Sequence, residues 1–232
     1  NKTAGQLLNT GGSTTTLSTN ALTLTQGNFT APATLNINGN FTHTAGTYTA
    51  GANTNVSGNW TRNGGTFTPG TNTVTFTGSS AQVINGSSST AFYNLTLNKS
   101  AAGNTVTSQT TAFSATSNLL LTQGNLVLTA TNANYTISGN VTVTSNAKLS
   151  HNVDWVTGFL LSVGGNIAVD GTYEYVTGGS PARAHLQMTG AGKFVHTGSS
   201  AFSIFSIAAG TISADGSLSV NDNFWAPITT GT

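Results

Sequence analysis

The chain reads as an all-β protein, and the architecture it predicts is a right-handed parallel β-solenoid. Three observations predict it. First, a Gly-Asn corner followed by an apolar residue recurs: GNFT from Gly27, GNFT from Gly39, GNWT from Gly58, GNLV from Gly124, GNVT from Gly139 and GNIA from Gly165. Second, apolar residues alternate with Thr, Asn and Ser between the corners, as in Leu22-Thr23-Leu24-Thr25 and across Thr71–Thr77. Such period-two alternation is the signature of half-buried strands. Third, no window of eleven or more residues shows helical periodicity.

Gly and Asn tolerate positive φ, so the pair turns the chain sharply and the apolar residue after it can enter a core. A repeat of about 20 residues is too short to bury its own apolar face and must stack on its neighbours. Stacked parallel coils place like residues over like. Asn28, Asn40 and Asn59, followed by Asn125, Asn140 and Asn166, are therefore expected to form an amide ladder at one corner. Phe29, Phe41 and Trp60 are expected to stack beside it. The alternative is a pair of antiparallel β-sandwiches of about 100 residues each.

Taken in order, residues 1–21 form a weakly patterned N-terminal segment, a candidate inter-subunit strand. Residues 22–118 are a first β block and residues 119–232 a second. Leu22–Phe29 matches Leu119–Leu126, and Gly39-Asn40 matches Gly139-Asn140. Gly58-Asn59 matches Gly165-Asn166, Gly65–Phe67 matches Gly171–Tyr173, and Thr77–Ala81 matches Thr197–Ala201. Five landmarks in the same order indicate a cryptic duplication. The second copy is the longer one, with insertions around 140–165 and 172–197.

Composition narrows the functional classes. Only 5% of the 232 residues are charged, against roughly 25% in an average domain. Residues 1–153 contain no Asp or Glu, and all five carboxylates (Asp154, Asp170, Glu174, Asp215, Asp222) follow. A net charge of +1 implies no attraction to nucleic acid or anionic membranes. There is no Cys, which removes disulfides and thiolate metal sites. No apolar run reaches the length of a transmembrane helix, so no membrane insertion is expected. No signal peptide is visible, and the chain is expected to be a mature product or a piece of something longer.

The runs Gly64–Gly78, Gln82–Gly86 and Phe92–Asn98 resemble the Gly/Thr/Asn-rich β-strand repeat segments of large secreted bacterial surface proteins, adhesin-like or fibre-forming. The resemblance covers most of residues 22–150 and is looser across 151–232. It implies a β-solenoid with a structural role at the cell surface or outside the cell.

Chemistry-bearing residues are sparse. Asp170 and Glu174, four apart on a strand, with Arg183 nearby, are the candidate pair for a carbohydrate-active β-helix enzyme, an alternative that stands beside a glycan-binding module. His43, His151, His185, His196 and Asp154 could ligate a metal, but no pair has the spacing of a recognised site, and neither metal nor cofactor is expected. There is no nucleophile elbow and no phosphate loop. Six Thr-x-Thr pairs (Thr23/Thr25, Thr42/Thr44, Thr47/Thr49, Thr66/Thr68, Thr71/Thr73, Thr75/Thr77) would suit ice binding if they shared one flat face. Ten Asn-x-Ser/Thr sequons, at Asn1, Asn28, Asn40, Asn55, Asn59, Asn85, Asn94, Asn98, Asn134 and Asn140, permit N-glycosylation in a suitable host.

The expected function is a non-enzymatic, structural subunit of an extracellular filament or surface adhesin that polymerises head to tail, with surface glycans as further partners. The uncharged ends suggest the polymer contacts: Gln6, Leu7 and Leu8 at one end, Phe224, Trp225 and Ile228 at the other. Apart from His43 and His151, residues 1–153 have almost nothing to titrate in acid, so the fold is expected to survive strong acid, any loosening being confined to residues 154–222.

Overall fold

The computed structural model describes residues 7–9, 15–130, 134–152, 159–176, 184–207, 211–214 and 217–225. Every described regular element is a strand, as expected where Thr, Val, Ile, Phe and Tyr alternate with small polar residues. Every strand pairing is parallel, so the chain is a β-solenoid and not a pair of antiparallel sandwiches. Each coil contributes one short strand to each of three faces, which we call I, II and III in the order the chain visits them.

Face I is one ladder: Thr16–Thr19, Thr34–Ile37, Asn53–Val56, Thr73–Phe76, Asn94–Asn98, the start of Leu119–Leu128, Val141–Val143, Ile167–Val169, Lys193–His196 and Thr211–Ala214. Face II begins with Leu22–Leu24, Phe41–His43, Trp60–Arg62, Gln82–Asn85 and Thr105–Ser108. It continues through the end of Leu119–Leu128, Ala147–Asn152, Thr172–Val176, and the first parts of Ser199–Ile207 and Ser217–Trp225. Face III carries Leu7–Asn9, Asn28–Thr30, Thr47–Thr49 and Thr66–Thr68. A second ladder on that side runs from Ala91–Phe92 and Ser114–Ala115 through Asn134–Ile137, Phe159–Val163 and Ala184–Met188. The last parts of Ser199–Ile207 and Ser217–Trp225 complete it.

The core lies along the axis. Alternate strand residues point inward, and Leu35, Phe41, Tyr48, Val56, Trp60, Phe76, Leu95 and Leu97 have no exposed surface. Phe41 sits under Trp60 with ring centroids 4.0 Å apart. Phe29, expected in the same stack, belongs to a different one. It is on face III and lies against Tyr48 at 5.7 Å, which lies against Phe67 at 5.3 Å, both nearly parallel. The two stacks meet where Phe41 and Tyr48 approach to 5.3 Å. The aromatic column then continues through Phe92, Phe113 and Tyr135.

The corners explain the glycines. Gly46 has φ +83°, and a Cβ there would lie 2.1 Å from the carbonyl oxygen of Gly27 in the coil below. Only glycine lets adjacent backbones pass so closely at such a φ. Part of the added length of the later coils lies in longer strands: Ala147–Asn152 and Phe159–Val163 have six and five residues, where Phe41–His43 and Thr47–Thr49 have three each.

The matched landmarks of the two blocks do not fall on matching faces. Leu22–Leu24 is on face II, whereas Leu119–Leu121 is on face I. Gly39-Asn40 and Gly58-Asn59 precede face II strands, but Gly139-Asn140 and Gly165-Asn166 precede face I strands. Thr66–Thr68 is on face III, and Thr172–Val176 is on face II. Only Thr77 and Thr197 follow strands of the same face.

Candidate functional site on the outer faces

The corner amides form two columns. At the corner from face I to face II, the Asn59 N–H donates to Asn40 Oδ1 at 2.9 Å and the Val83 N–H to Asn59 Oδ1 at 3.0 Å. At the corner from face III to face I, the N–H groups of Asn118, Asn140 and Asn166 donate to the side-chain oxygens of Asn94, Asn118 and Asn140 at 2.8–3.1 Å. The Lys193 N–H then donates to Asn166 Oδ1 at 2.8 Å. Asn28 and Asn125 belong to neither column. Asn28 is exposed on face III opposite Thr47, and Asn125 lies within face II with its Oδ1 3.0 Å from Ser150 Oγ. Asn94 and Asn118 were missed because no Gly precedes them. An Asn directly before an inward-pointing strand residue was the usable signal. Among the sequons, Asn40, Asn59, Asn94 and Asn140 have their carboxamide oxygens engaged in these columns.

The residues expected at polymer contacts occupy the end rungs of face III. Leu7 and Leu8 pair with Asn28 and Phe29, and Phe224 and Trp225 pair with Phe205 and Ser206. Gln6 and Ile228 lie outside the described residues.

The candidate catalytic carboxylates do different things. Asp170, at the corner after Ile167–Val169, accepts a hydrogen bond from the Thr197 hydroxyl. Glu174, on face II, pairs with Lys148 Nζ at 2.8 Å and lies 3.0 Å from Ser150 Oγ. Arg183 and Asp154 lie outside the described residues. The histidines are dispersed: His43 and His151 on face II, His185 on face III and His196 on face I. Among the described residues, no three His, Asp or Glu side chains gather as a metal site. The Thr-x-Thr pairs are divided two to a face, so they do not make the single flat array that ice binding requires.

His151 is buried against Tyr173, whose hydroxyl is 2.9 Å from Nε2. Burial holds its pKa down at about 3. Lys99 is an unusual cation, 1% exposed in a region without a carboxylate. Its ammonium donates to the carbonyls of Thr77 (2.8 Å) and Ser80 (3.0 Å) and to Gln82 Oε1. Desolvation lowers its pKa to about 8.

A concavity lies on face I. A groove of about 560 Å³ lies over the outward residues of five successive coils. Its central column is Asn36, Asn55, Thr75 and Thr96, aligned by strand register. Asn55 Nδ2 donates to Asn36 Oδ1 at 2.8 Å, and Asn36 Nδ2 to Ser18 Oγ at 3.2 Å. Beside them, Ser57 Oγ and Thr77 Oγ1 are 3.0 Å apart. All ten lining residues are Asn, Ser or Thr. Further along the same outward column, Thr96 is followed by Leu120, Thr142, Ala168 and Val195. Leu120 and Val195 are the two large apolar side chains exposed among the described residues.

No family model, curated protein or solved structure matches this chain.

Proposed function

We propose that the chain is a structural segment of an extracellular fibre or cell-surface adhesin, and that it assembles by stacking coil on coil with further copies of itself. One observation carries this reading: among the described residues, the face I ladder ends on uncharged, strand-competent edges. Among the described residues, Thr16–Thr19 pairs only with Thr34–Ile37, and Thr211–Ala214 only with Lys193–His196. The outer edge of such a rung presents N–H and C=O groups in the spacing another parallel strand needs. Natural sheets protect free edges with charge or proline, and Thr16-Leu17-Ser18-Thr19 and Thr211-Ile212-Ser213-Ala214 carry neither. A head-to-tail contact that does not close on itself gives a filament. The resemblance to surface repeat proteins, the near absence of charge and the lack of Cys are consistent with an exported structural role.

Sedimentation velocity over a wide concentration range tests this. The expected result is a mass distribution that grows with concentration in multiples of the 23.5 kDa chain. A single monomeric species at every concentration would overturn it. The enzyme reading has less support, because Asp170 and Glu174 are engaged with separate partners.

A further inference from the structure

We infer that the face I groove is a binding site for an uncharged, polyhydroxylated polymer, a neutral polysaccharide, lying along the stacking axis. The inference stands independently of filament assembly.

The groove's chemistry selects the ligand class by elimination. Nucleic acid and acidic polysaccharides need Lys or Arg opposite their anionic groups, and none lines the groove. An extended peptide captured by β-augmentation needs a free strand edge. Here the floor is the face of a sheet whose backbone groups are already paired along the ladder. An apolar partner would need an apolar patch, whereas the lining is carboxamide and hydroxyl. Ice would need a flat, regular Thr surface, and this one is concave and interrupted by Asn36 and Asn55.

What remains is a ligand that donates and accepts at many points without charge. Carboxamides and hydroxyls do both, which suits sugar hydroxyls. The donors are also preorganised. The Asn55–Asn36–Ser18 chain fixes the amide orientations, and Thr75 and Thr96 line the groove beside them. Ordering these side chains in advance lowers the entropy lost on binding. The central column repeats at the rung spacing, about 4.8 Å, so it offers like groups at even intervals to a polymer of like units. Further along the column, Leu120 and, beyond Thr142, Ala168 and Val195 offer apolar contacts for the C–H faces of sugar rings.

Affinity electrophoresis tests the proposal, with native gels containing hydroxyethyl cellulose, mannan, laminarin or dextran, and alginate as the anionic comparison. Two variants place a charge in the groove, Thr75→Lys and Thr96→Lys. Thr49→Lys places one on face III. All three positions point outward, and circular dichroism of each variant checks that the fold is retained. We expect at least one neutral polysaccharide to slow the wild type and Thr49→Lys alike, and its effect to fall at least tenfold in the two groove variants. Retardation by none of the neutral polymers would overturn the proposal. So would retardation unchanged in Thr75→Lys and Thr96→Lys, or stronger retardation by alginate. Because the gels read mobility against polymer concentration for a fixed protein species, a failure here leaves the sedimentation result untouched, and the reverse also holds.

Discussion

The lower coils, from Leu22 to about Asn98, and the upper coils, from Val141 to His196, solve one packing problem with different materials. In the lower coils the period is shorter, 19 residues at first and up to 24 by the step from Asn59 to Val83. Asn40 to Asn59 and Asn36 to Asn55 are each 19 residues apart, and the interior is filled by Phe29, Phe41, Tyr48, Trp60 and Phe67. In the upper coils the period widens to 26 and 27 residues, and Leu161, Val163, Ile167, Val169, Leu186 and Met188 fill the interior. Both regions bury polar groups, His43, Asn72 and Gln82 in the lower coils, His151 with Tyr173 and His196 beside Phe194 in the upper. Rung spacing along the axis is fixed by the hydrogen bonds, so cross-section is the free variable. Large rings fill a narrow coil with few residues. Aliphatic side chains fill a wider one, whose face II and face III strands are longer.

The comparison is broken most strongly by removing a ring from the lower stack. Trp60→Ala takes away a fully buried indole that packs on Phe41 and donates from Nε1 to Thr90 Oγ1 at 3.1 Å. The expected loss is about 3–5 kcal/mol, read from guanidinium denaturation. A loss below about 1 kcal/mol would mean that the aromatic stack does not hold these coils together.

Acid should expose the upper coils next. His151 has its pKa lowered from 6.5 to about 3 by burial, so between those values the unfolded chain binds the extra proton. Its contribution is complete above about pH 6.5 and is lost as pH falls toward 3. Each pH unit in that window is worth about 1.4 kcal/mol. His185 shifts the same way, and so does His43 in the lower coils, both chiefly through desolvation. The expectation of acid tolerance rests on missing carboxylates, with His43 and His151 as exceptions; the burial of these histidines works against it in acid. His151→Leu should move the midpoint of acid unfolding to lower pH. An unchanged midpoint would remove His151 from this role. At the alkaline end Lys99 acts in the same sense, since its pKa is lowered from 10.5 to about 8. Stability should rise between pH 8 and 10.5 wherever Lys99 is the titrating group, and this rise should be absent in Lys99→Met.

Smaller effects sharpen the contrast at the surface. Asn118→Ala removes the oxygen that accepts from the Asn140 N–H and should cost about 1 kcal/mol, measured by urea titration. Glu174→Gln breaks the Lys148 pair, whose side chains are 37% and 32% exposed. Exposed pairs contribute at most about 1 kcal/mol, so a shift in melting temperature of a degree or two is expected.

The sequence displayed the strands and their stacking well, because period two and short spacing leave a parallel solenoid as the economical solution. It did not display which corner each Gly-Asn occupies. A Gly-Asn followed by an apolar residue specifies a turn and an inward side chain, and all three corners of a coil need both. That is why Asn40 and Asn140 look equivalent and sit at different corners, and why Phe29 and Phe41 look alike and join different stacks. The Gly-Asn motif specifies one corner, whereas the structural repeat is a coil with three. The groove was hidden for a related reason. Asn36, Asn55, Thr75 and Thr96 become neighbours only through strand register, and nothing in their local sequence separates them from the outward Thr of faces II and III.

The central claim, that this solenoid continues from copy to copy along its own axis, is tested most directly by diffraction from oriented assemblies. Strands crossing a rod at right angles, stacked end to end, should give a meridional reflection near 4.8 Å along the filament, with a filament no wider than one solenoid. A 4.8 Å reflection lying across the filament, or a filament several solenoids wide, would mean lateral association and would contradict the account.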